Sequence, residues 1–228
     1  MNTFHTAKLA AAVLTSVMAI GSAQAAAVIV KDLSSVSNIP GLTGFTTTGA
    51  MMDGLSITAS FSGGLTETRF WADLAAPNSG GVSGTNWGLT LTGDTFTSAW
   101  DFTMSSNLGQ ILSLVIDGTN ALTVLDATNP STGTPGSSSG QDFEFDDPNI
   151  NATATYSSVV SVGANAAVTD LFQVLTVNFG NGGPRTNFTF RQDTDNDSRF
   201  GVPEPGSLAL AGLALAALGA SARRSRKA

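Results

Sequence analysis

The sequence predicts an all-β fold, a two-sheet antiparallel sandwich of jelly-roll type, and three observations support this prediction. Short apolar runs alternate residue by residue with polar side chains, which is the period of a half-buried strand. Gly, Thr, Ser and Asn interrupt these runs at intervals of about ten residues. No stretch of helical length between residues 28 and 202 has a 3.6-residue apolar period. The pattern indicates roughly nine to eleven strands, a number that favours a sandwich over a barrel.

One predicted hairpin lies between residues 87 and 104. Residues 87–91 alternate apolar and polar side chains, and Gly93-Asp94 supplies the turn. The returning strand at residues 96–104 should place its large apolar side chains on one buried face. These side chains are Phe96, Trp100, Phe102 and Met104.

A second hairpin is predicted between residues 111 and 125. Residues 111–116 and 121–125 are apolar and flank the turn sequence Asp117-Gly118-Thr119-Asn120, in which Gly118 would supply a positive φ angle. Strand patterning is also present at residues 55–61, 66–71, 152–162, 171–179 and 187–191.

The N-terminal residues 1–25 have the three regions of a secretory signal peptide. Lys8 precedes an apolar run at residues 9–20, and small residues lead to a cleavage site. We expect a helical segment that is removed after Ala25, with Ala27 as the second choice. The alternative is an amphipathic helix of the mature protein, but residues 9–20 contain only two polar side chains and have no polar face.

Residues 203–228 combine three features in a fixed order. We expect Pro203-Glu204-Pro205 to form a stiff connector and the uncharged apolar residues 206–222 to form a helix, and a basic cluster follows. The cluster consists of Arg223, Arg224, Arg226 and Lys227. This arrangement resembles the PEP-CTERM sorting tail of exported proteins of Gram-negative bacteria, in which Pro203, Glu204 and Pro205 would be the recognition element.

The resemblance implies a route and a set of partners. An exosortase-type membrane enzyme would process the tail, after the Sec translocon and signal peptidase have acted on the N-terminal segment. The tail would hold the protein transiently in the inner membrane before it reaches the cell surface or the extracellular space, where an association with extracellular polysaccharide and biofilm is implied. A permanent anchor is the alternative, since 17 uncharged residues give a helix of about 25 Å, the short limit for a bilayer core.

The two terminal segments leave one domain, residues 26–202, which is strongly acidic. Residues 28–202 contain sixteen acidic and five basic side chains, a formal charge of −11. Such a surface repels phosphate backbones, so nucleic-acid binding is excluded. The chain has no cysteine, and its single histidine, His5, lies in the predicted signal peptide. Catalysis by Ser-His-Asp or Cys-His groups and the usual zinc sites are therefore excluded, and we expect no enzyme activity.

Three carboxylates at alternate positions form a candidate cation site. Asp193, Asp195 and Asp197 have the spacing by which a single loop presents oxygen ligands to Ca²⁺. An EF-hand is not expected, because position six of the loop is Ser198 instead of glycine and the flanks are not helical. A calcium site of another kind and a solvated acidic linker both fit the pattern, and no other cofactor is indicated.

A second acidic segment, residues 142–147, alternates carboxylates with phenylalanines. If it is a strand, Asp142, Glu144 and Asp146 share one exposed face, where their like charges cost stability unless a cation or solvent screens them. Two carboxyl groups opposed across a cleft would suit a glycoside hydrolase. An acidic edge strand that discourages aggregation is an equally natural interpretation.

The aromatic residues are expected to pack between the sheets. Trp71, Trp87 and Trp100 fall within strand periodicity, as do most of the phenylalanines. If one tryptophan is exposed and binds a glycan, the sequence favours Trp71, at a strand end. Three functions remain: an exported surface or matrix protein without catalytic activity, a lectin-like glycan-binding module assisted by calcium, and a carboxylate hydrolase. The first is favoured.

Overall fold

The computed structural model shows two β-sheets packed face to face, which confirms the all-β sandwich. It describes residues 27–43, 46–128, 140–167, 169–180 and 182–197. Helical structure in these ranges is limited to two short 3₁₀ turns, at Gly49–Met51 and Ser106–Leu108. The predicted helical signal peptide and the predicted helical sorting segment lie outside the described residues. The jelly-roll connectivity stays a prediction.

Sixteen strands make up the two sheets within the described ranges. In chain order they are β1 (Val28–Lys31), β2 (Val36–Asn38), β3 (Leu42–Thr43), β4 (Ser56–Phe61), β5 (Thr66–Phe70), β6 (Ala72–Asp73), β7 (Ser79–Ser83), β8 (Trp87–Thr92), β9 (Trp100–Met104), β10 (Ile111–Asp117), β11 (Thr123–Asp126), β12 (Glu144–Phe145), β13 (Thr153–Ser161), β14 (Leu171–Asn178), β15 (Phe188–Arg191) and β16 (Asp193–Asp197). The sequence predicted fewer, because several strands have only two or three residues and show no period.

The larger sheet has ten strands and is built around β14. Strand β13 lies on one side of β14, and β10 and β11 lie end to end on the other side. The sheet continues from β11 through β16 to β3, and from β10 through β4 to β5. The smaller sheet has six strands in the order β12, β15, β9, β8, β7, β6. The chain crosses from the smaller to the larger sheet at Gln192, between β15 and β16.

One edge of the larger sheet departs from the predicted antiparallel arrangement. Strands β1 and β2 both run parallel to β13, with Val28 opposite Thr153 and Val36 opposite Val159. Parallel neighbours need a long connection, and here β3 to β12 lie between the paired strands in sequence. The alternation of apolar and polar residues shows where a strand lies, but not the direction of its neighbours. The sequence therefore did not separate parallel from antiparallel pairing here.

Aromatic side chains fill the space between the sheets. Trp100 is fully buried, lies 5.1 Å from Trp71 and stacks on Phe190 at 5.7 Å between ring centroids. Trp87 stacks on Phe102 at 5.8 Å. None of the three tryptophans exposes more than 4% of its surface. The prediction that they pack in the core is confirmed.

The first predicted hairpin is confirmed, but its second strand begins later than expected. Strands β8 and β9 pair antiparallel, with Trp87 opposite Met104. Strand β9 starts at Trp100, and Phe96 lies in the connection and exposes 45% of its surface. The prediction of a buried Phe96 is wrong. The carboxylate of Asp94 accepts a hydrogen bond from the backbone N–H of Phe96, which holds this segment in a turn.

The second predicted hairpin does not form. Strands β10 and β11 run in the same direction along β14, and residues 118–122 fold into a small closed loop between them. The backbone N–H groups of Ala121 and Thr123 both donate to the carbonyl of Gly118. The positive φ angle, 49°, is at Leu122 and not at Gly118. Glycine is needed at 118 for another reason, since an added Cβ would lie 1.9 Å from the carbonyl oxygen of Thr123.

Replacing Gly118 with alanine tests this close approach. The new Cβ would push the loop away from β11, and we expect the free energy of unfolding to fall by about 1–3 kcal/mol. Gly182→Ala is the matched control, because its added Cβ would have one neighbour, 3.9 Å away. Its effect should stay within about 0.5 kcal/mol. Urea denaturation measures both, and equal stability of the two variants would contradict the role given to the Thr123 carbonyl.

Candidate functional site

The acidic segment at residues 142–147 lies at one edge of the smaller sheet. Glu144 and Phe145 form β12, the outermost strand, which pairs with β15. Phe143 and Phe145 are buried, whereas Glu144 and Asp146 are exposed. The predicted alternation is confirmed for residues 143–146, and the segment supplies an acidic edge strand. Asp142 precedes this strand and is half-buried, so it does not share the exposed face.

Two basic side chains reduce the repulsion within this segment. Lys31 Nζ lies 3.7 Å from Asp142 Oδ1, and Arg191 Nε lies 3.1 Å from Asp146 Oδ1. The hydroxyl of Thr189 also donates to Asp146 Oδ2 at 2.6 Å. Partly exposed pairs of this kind contribute about 0.2–1 kcal/mol each. They therefore orient the segment more than they stabilise the fold.

An open groove separates the acidic segment from β9 and from the loop that precedes β15. Its volume is about 640 Å³, within the range of ligand-binding clefts. Its lining is mostly polar and includes Asp101, Asp147, Asn149, Asn187 and Thr189. Ile150 also lines it and is buried. A smaller groove of about 320 Å³ lies on the other side of the segment, and the two share Asp147 and Ile150.

Asp101 and Asp147 give the larger groove its negative charge. Asp101 is exposed and alternates along β9 with the buried Trp100 and Phe102. Asp147 Oδ1 accepts hydrogen bonds from the backbone N–H of Asn149 at 2.9 Å and from its side-chain amide at 2.8 Å. These bonds favour the ionised form and lower the pKa of Asp147. Within the part of the chain that the structure describes, no basic side chain forms an ion pair with either carboxylate.

Amide and hydroxyl groups complete the lining of the larger groove. Asn187 Oδ1 accepts a hydrogen bond from the backbone N–H of Met104 at 2.9 Å, which orients the amide and leaves Nδ2 as a donor. Thr189 lies directly opposite Asp101 in the pairing of β15 with β9. The groove therefore combines carboxylate acceptors with an oriented amide donor, a set that can bind a hydroxylated or amino-bearing ligand.

Trp71 is not the exposed aromatic residue that the glycan-binding hypothesis requires. It exposes 2% of its surface, and its indole N–H donates to the carbonyl of Gly49 at 2.7 Å. Gly80 packs so closely that an added Cβ would lie 2.1 Å from Trp71 Nε1. Trp71 lies where the chain passes from β5 in one sheet to β6 in the other, and this position between the sheets buries it.

Asp193, Asp195 and Asp197 lie in β16, and all five residues of this strand are buried. The solvated linker is therefore wrong, and the segment is a strand and not the loop that the calcium prediction assumed. Alternate residues of a strand are about 6.6 Å apart, so their carboxylates do not converge as those of a loop do. No group of three or more His, Cys, Asp or Glu residues in the five described ranges is placed to hold a metal ion.

Burial raises the pKa of Asp193 to about 7. Its Oδ1 accepts hydrogen bonds from Thr95 Oγ1 at 2.9 Å and from the backbone N–H of Thr194 at 2.8 Å, and these bonds oppose the rise. The negative charges of Asp195 and Asp94 add to it. The carboxyl group of Asp193 therefore changes its charge near neutral pH.

The residues that line the larger groove have little signal in the sequence. Asp101 carries a weak signal, because it is a carboxylate at an outward-facing position between two buried aromatic residues. Asn187 carries none, since it lies in a turn-rich segment far away in sequence. Only the pairing of β9 with β15, which sets Phe188 opposite Phe102, brings the two residues to the same face.

A sorting motif follows the acidic sandwich in the sequence. Residues 201–225 match the family model of the PEP-CTERM protein-sorting motif. The chain carries this motif, which confirms the resemblance at Pro203, Glu204 and Pro205. The motif implies export, transient retention in the membrane through the C-terminal segment, and processing by an exosortase-type enzyme.

No curated protein and no solved structure matched the chain. The fold of the sandwich therefore rests on the strand pairing described above. None of the helical turns in the described residues has the length and the apolar character of a membrane span.

Proposed function

We propose that the protein is a non-enzymatic component of the cell surface or extracellular matrix whose sandwich associates with extracellular polysaccharide. The observation that supports this proposal is the sorting motif at residues 201–225. Strand β16 ends at Asp197, so the motif follows the sandwich almost directly. The sandwich is therefore the domain that is exported by means of this motif.

The composition and the groove favour a binding role over catalysis. Residues 28–202 contain neither histidine nor cysteine, the side chains that common nucleophilic mechanisms use. The larger groove is open and polar, which suits a segment of a polyhydroxylated polymer. This groove also supports the lectin-like alternative, with Asp101 and Asn187 in place of Trp71. Association with a biofilm follows if the polymer is part of one.

Replacing Pro203, Glu204 and Pro205 together with alanine should block processing. The recognition element is lost while the apolar segment remains, so we expect the unprocessed protein to accumulate in the membrane fraction. Cell fractionation and mass spectrometry of the C-terminus measure this result. Gly182→Ala in the sandwich is the control and should be processed as the wild type. Normal release of the alanine variant would contradict sorting through this motif.

Polysaccharide association has its own test. The exported protein is mixed with extracellular polysaccharide isolated from its host and centrifuged. We expect it to sediment with the polymer and to stay in solution after the polymer is digested. A protein that remains in solution in both cases would contradict the proposed function.

A further inference from the structure

We infer that the larger groove binds a saccharide that carries free amino groups, an amino sugar within a polymer or oligomer. This inference rests on the proposed association with polysaccharide and names the ligand class that the groove selects. It follows from the charge, the hydrogen-bonding groups and the size of the groove.

The charge of the groove favours a cationic ligand. Asp101 and Asp147 both line it, and no described basic side chain pairs with them. Asp146 lines it as well, but Arg191 already neutralises that carboxylate. A saccharide that bears carboxylates or sulfates would place like charges against Asp101 and Asp147. An ammonium group supplies the positive partner that these two carboxylates lack.

The other lining groups favour a saccharide among cationic ligands. Asn187 offers an oriented Nδ2 donor, and Asn149 lies beside Asp147 on the rim. Hydroxyl groups of a sugar both accept and donate hydrogen bonds, so they satisfy an amide and a carboxylate at neighbouring positions. A simple polyamine has no acceptor for the amide.

The size of the groove fits an oligosaccharide. Its volume is about 640 Å³ and it is open to solvent, so a segment of a polymer can enter it.

Calorimetric titration with the hexasaccharide of glucosamine tests the inference. The protein is recovered from cells that express the full-length chain. We expect Asp101→Asn and Asp147→Asn each to weaken binding about five- to tenfold, since each removes a charge-assisted hydrogen bond at an exposed site. Both variants keep the size of the side chain. Asp101→Asn should melt as the wild type does, and Asp147→Asn should melt slightly lower, because it loses the ionised acceptor of the Asn149 hydrogen bonds. Binding by the wild type should also weaken as salt rises from about 0.05 to 0.5 M.

Asp53→Asn is the matched control. It removes the same charge beside Asp73 on β6, at the opposite edge of the smaller sheet, and should bind as the wild type does. Three results would overturn the inference: affinity unchanged in both groove variants, equal affinity for the fully N-acetylated hexasaccharide, or equal affinity for a lysine oligopeptide.

Failure of the inference and failure of the proposed function have different signatures. If the wild type binds no glucosamine hexasaccharide yet sediments with the host polysaccharide, the inference is wrong and the proposed function stands. If it does not sediment with the polysaccharide, the proposed function is wrong, whatever the result with glucosamine.

Discussion

Replacing Trp100 with alanine is expected to lower the free energy of unfolding by about 3–5 kcal/mol. Trp100 is fully buried between the sheets and contacts the rings of Trp71 and Phe190. Its indole N–H also donates to the carbonyl of Gln192 at 2.9 Å. The alanine variant would leave a large cavity and a buried carbonyl without this donor. Since domains of this size are stable by only about 5–15 kcal/mol, the loss is a large share of the total.

Two further variants separate packing from hydrogen bonding. Trp100→Phe keeps an aromatic ring against Phe190 and loses the indole donor, so we expect a smaller loss than with alanine. Phe96→Ala removes a ring that is 45% exposed and should change stability by about 0.5 kcal/mol or less. Urea denaturation gives the three values. A Trp100→Ala protein as stable as Phe96→Ala would show that the sheets do not depend on this contact.

The second large effect is a loss of stability as pH rises, caused by Asp193. The pKa of Asp193 is about 7 in the folded protein, whereas the ordinary pKa of an aspartate, which applies to the unfolded chain, is 3.8. Between these values the folded protein holds a proton that the unfolded chain releases. The stabilisation is therefore complete below about pH 4 and is lost as pH rises through 7. The difference between the two pKa values corresponds to about 4 kcal/mol.

Replacing Asp193 with asparagine should remove this pH dependence. The amide oxygen can still accept hydrogen bonds from Thr95 and Thr194, and no charge forms at any pH. We expect the variant to be more stable than the wild type at pH 8 by about 2–4 kcal/mol, and close to it at about pH 3.5, below the pKa of the unfolded chain. Thermal melts at the two pH values measure this. Asp101→Asn, at an exposed position, is the control and should follow the wild-type profile; a variant of Asp193 that did the same would contradict the assignment.

The parts of the fold that the sequence predicted depend on neighbours along one strand. Trp87, Leu89 and Leu91 alternate with polar residues, and the structure buries all three. Phe143 and Phe145 alternate with carboxylates in the same way. The alternation of buried and exposed residues follows from the geometry of a single strand, so the sequence alone is enough to predict it.

The failures concern contacts between segments that are distant in sequence. The Asp193–Asp197 segment has the composition of a solvated loop, but it is buried because β11 pairs with it on one side and β3 on the other. Gln192 is polar and yet fully buried, because its side-chain amide donates to the carbonyl of Asp193 at 2.7 Å where the chain changes sheets. Tertiary pairing satisfied backbone polar groups that the local sequence would leave to water.

By itself, the sequence determined the all-β class, the buried face of the strands with the clearest alternation, the acidic character of residues 28–202 and the sorting motif at residues 201–225. Each of these is a local pattern or a sum over residues. Only the tertiary structure decided that Trp71 is buried, that β10 and β11 form no hairpin, and that Asp101 and Asn187 line one groove. These outcomes depend on which strands pair and in what register, and the hydrogen bonds that set register join residues that no local period relates.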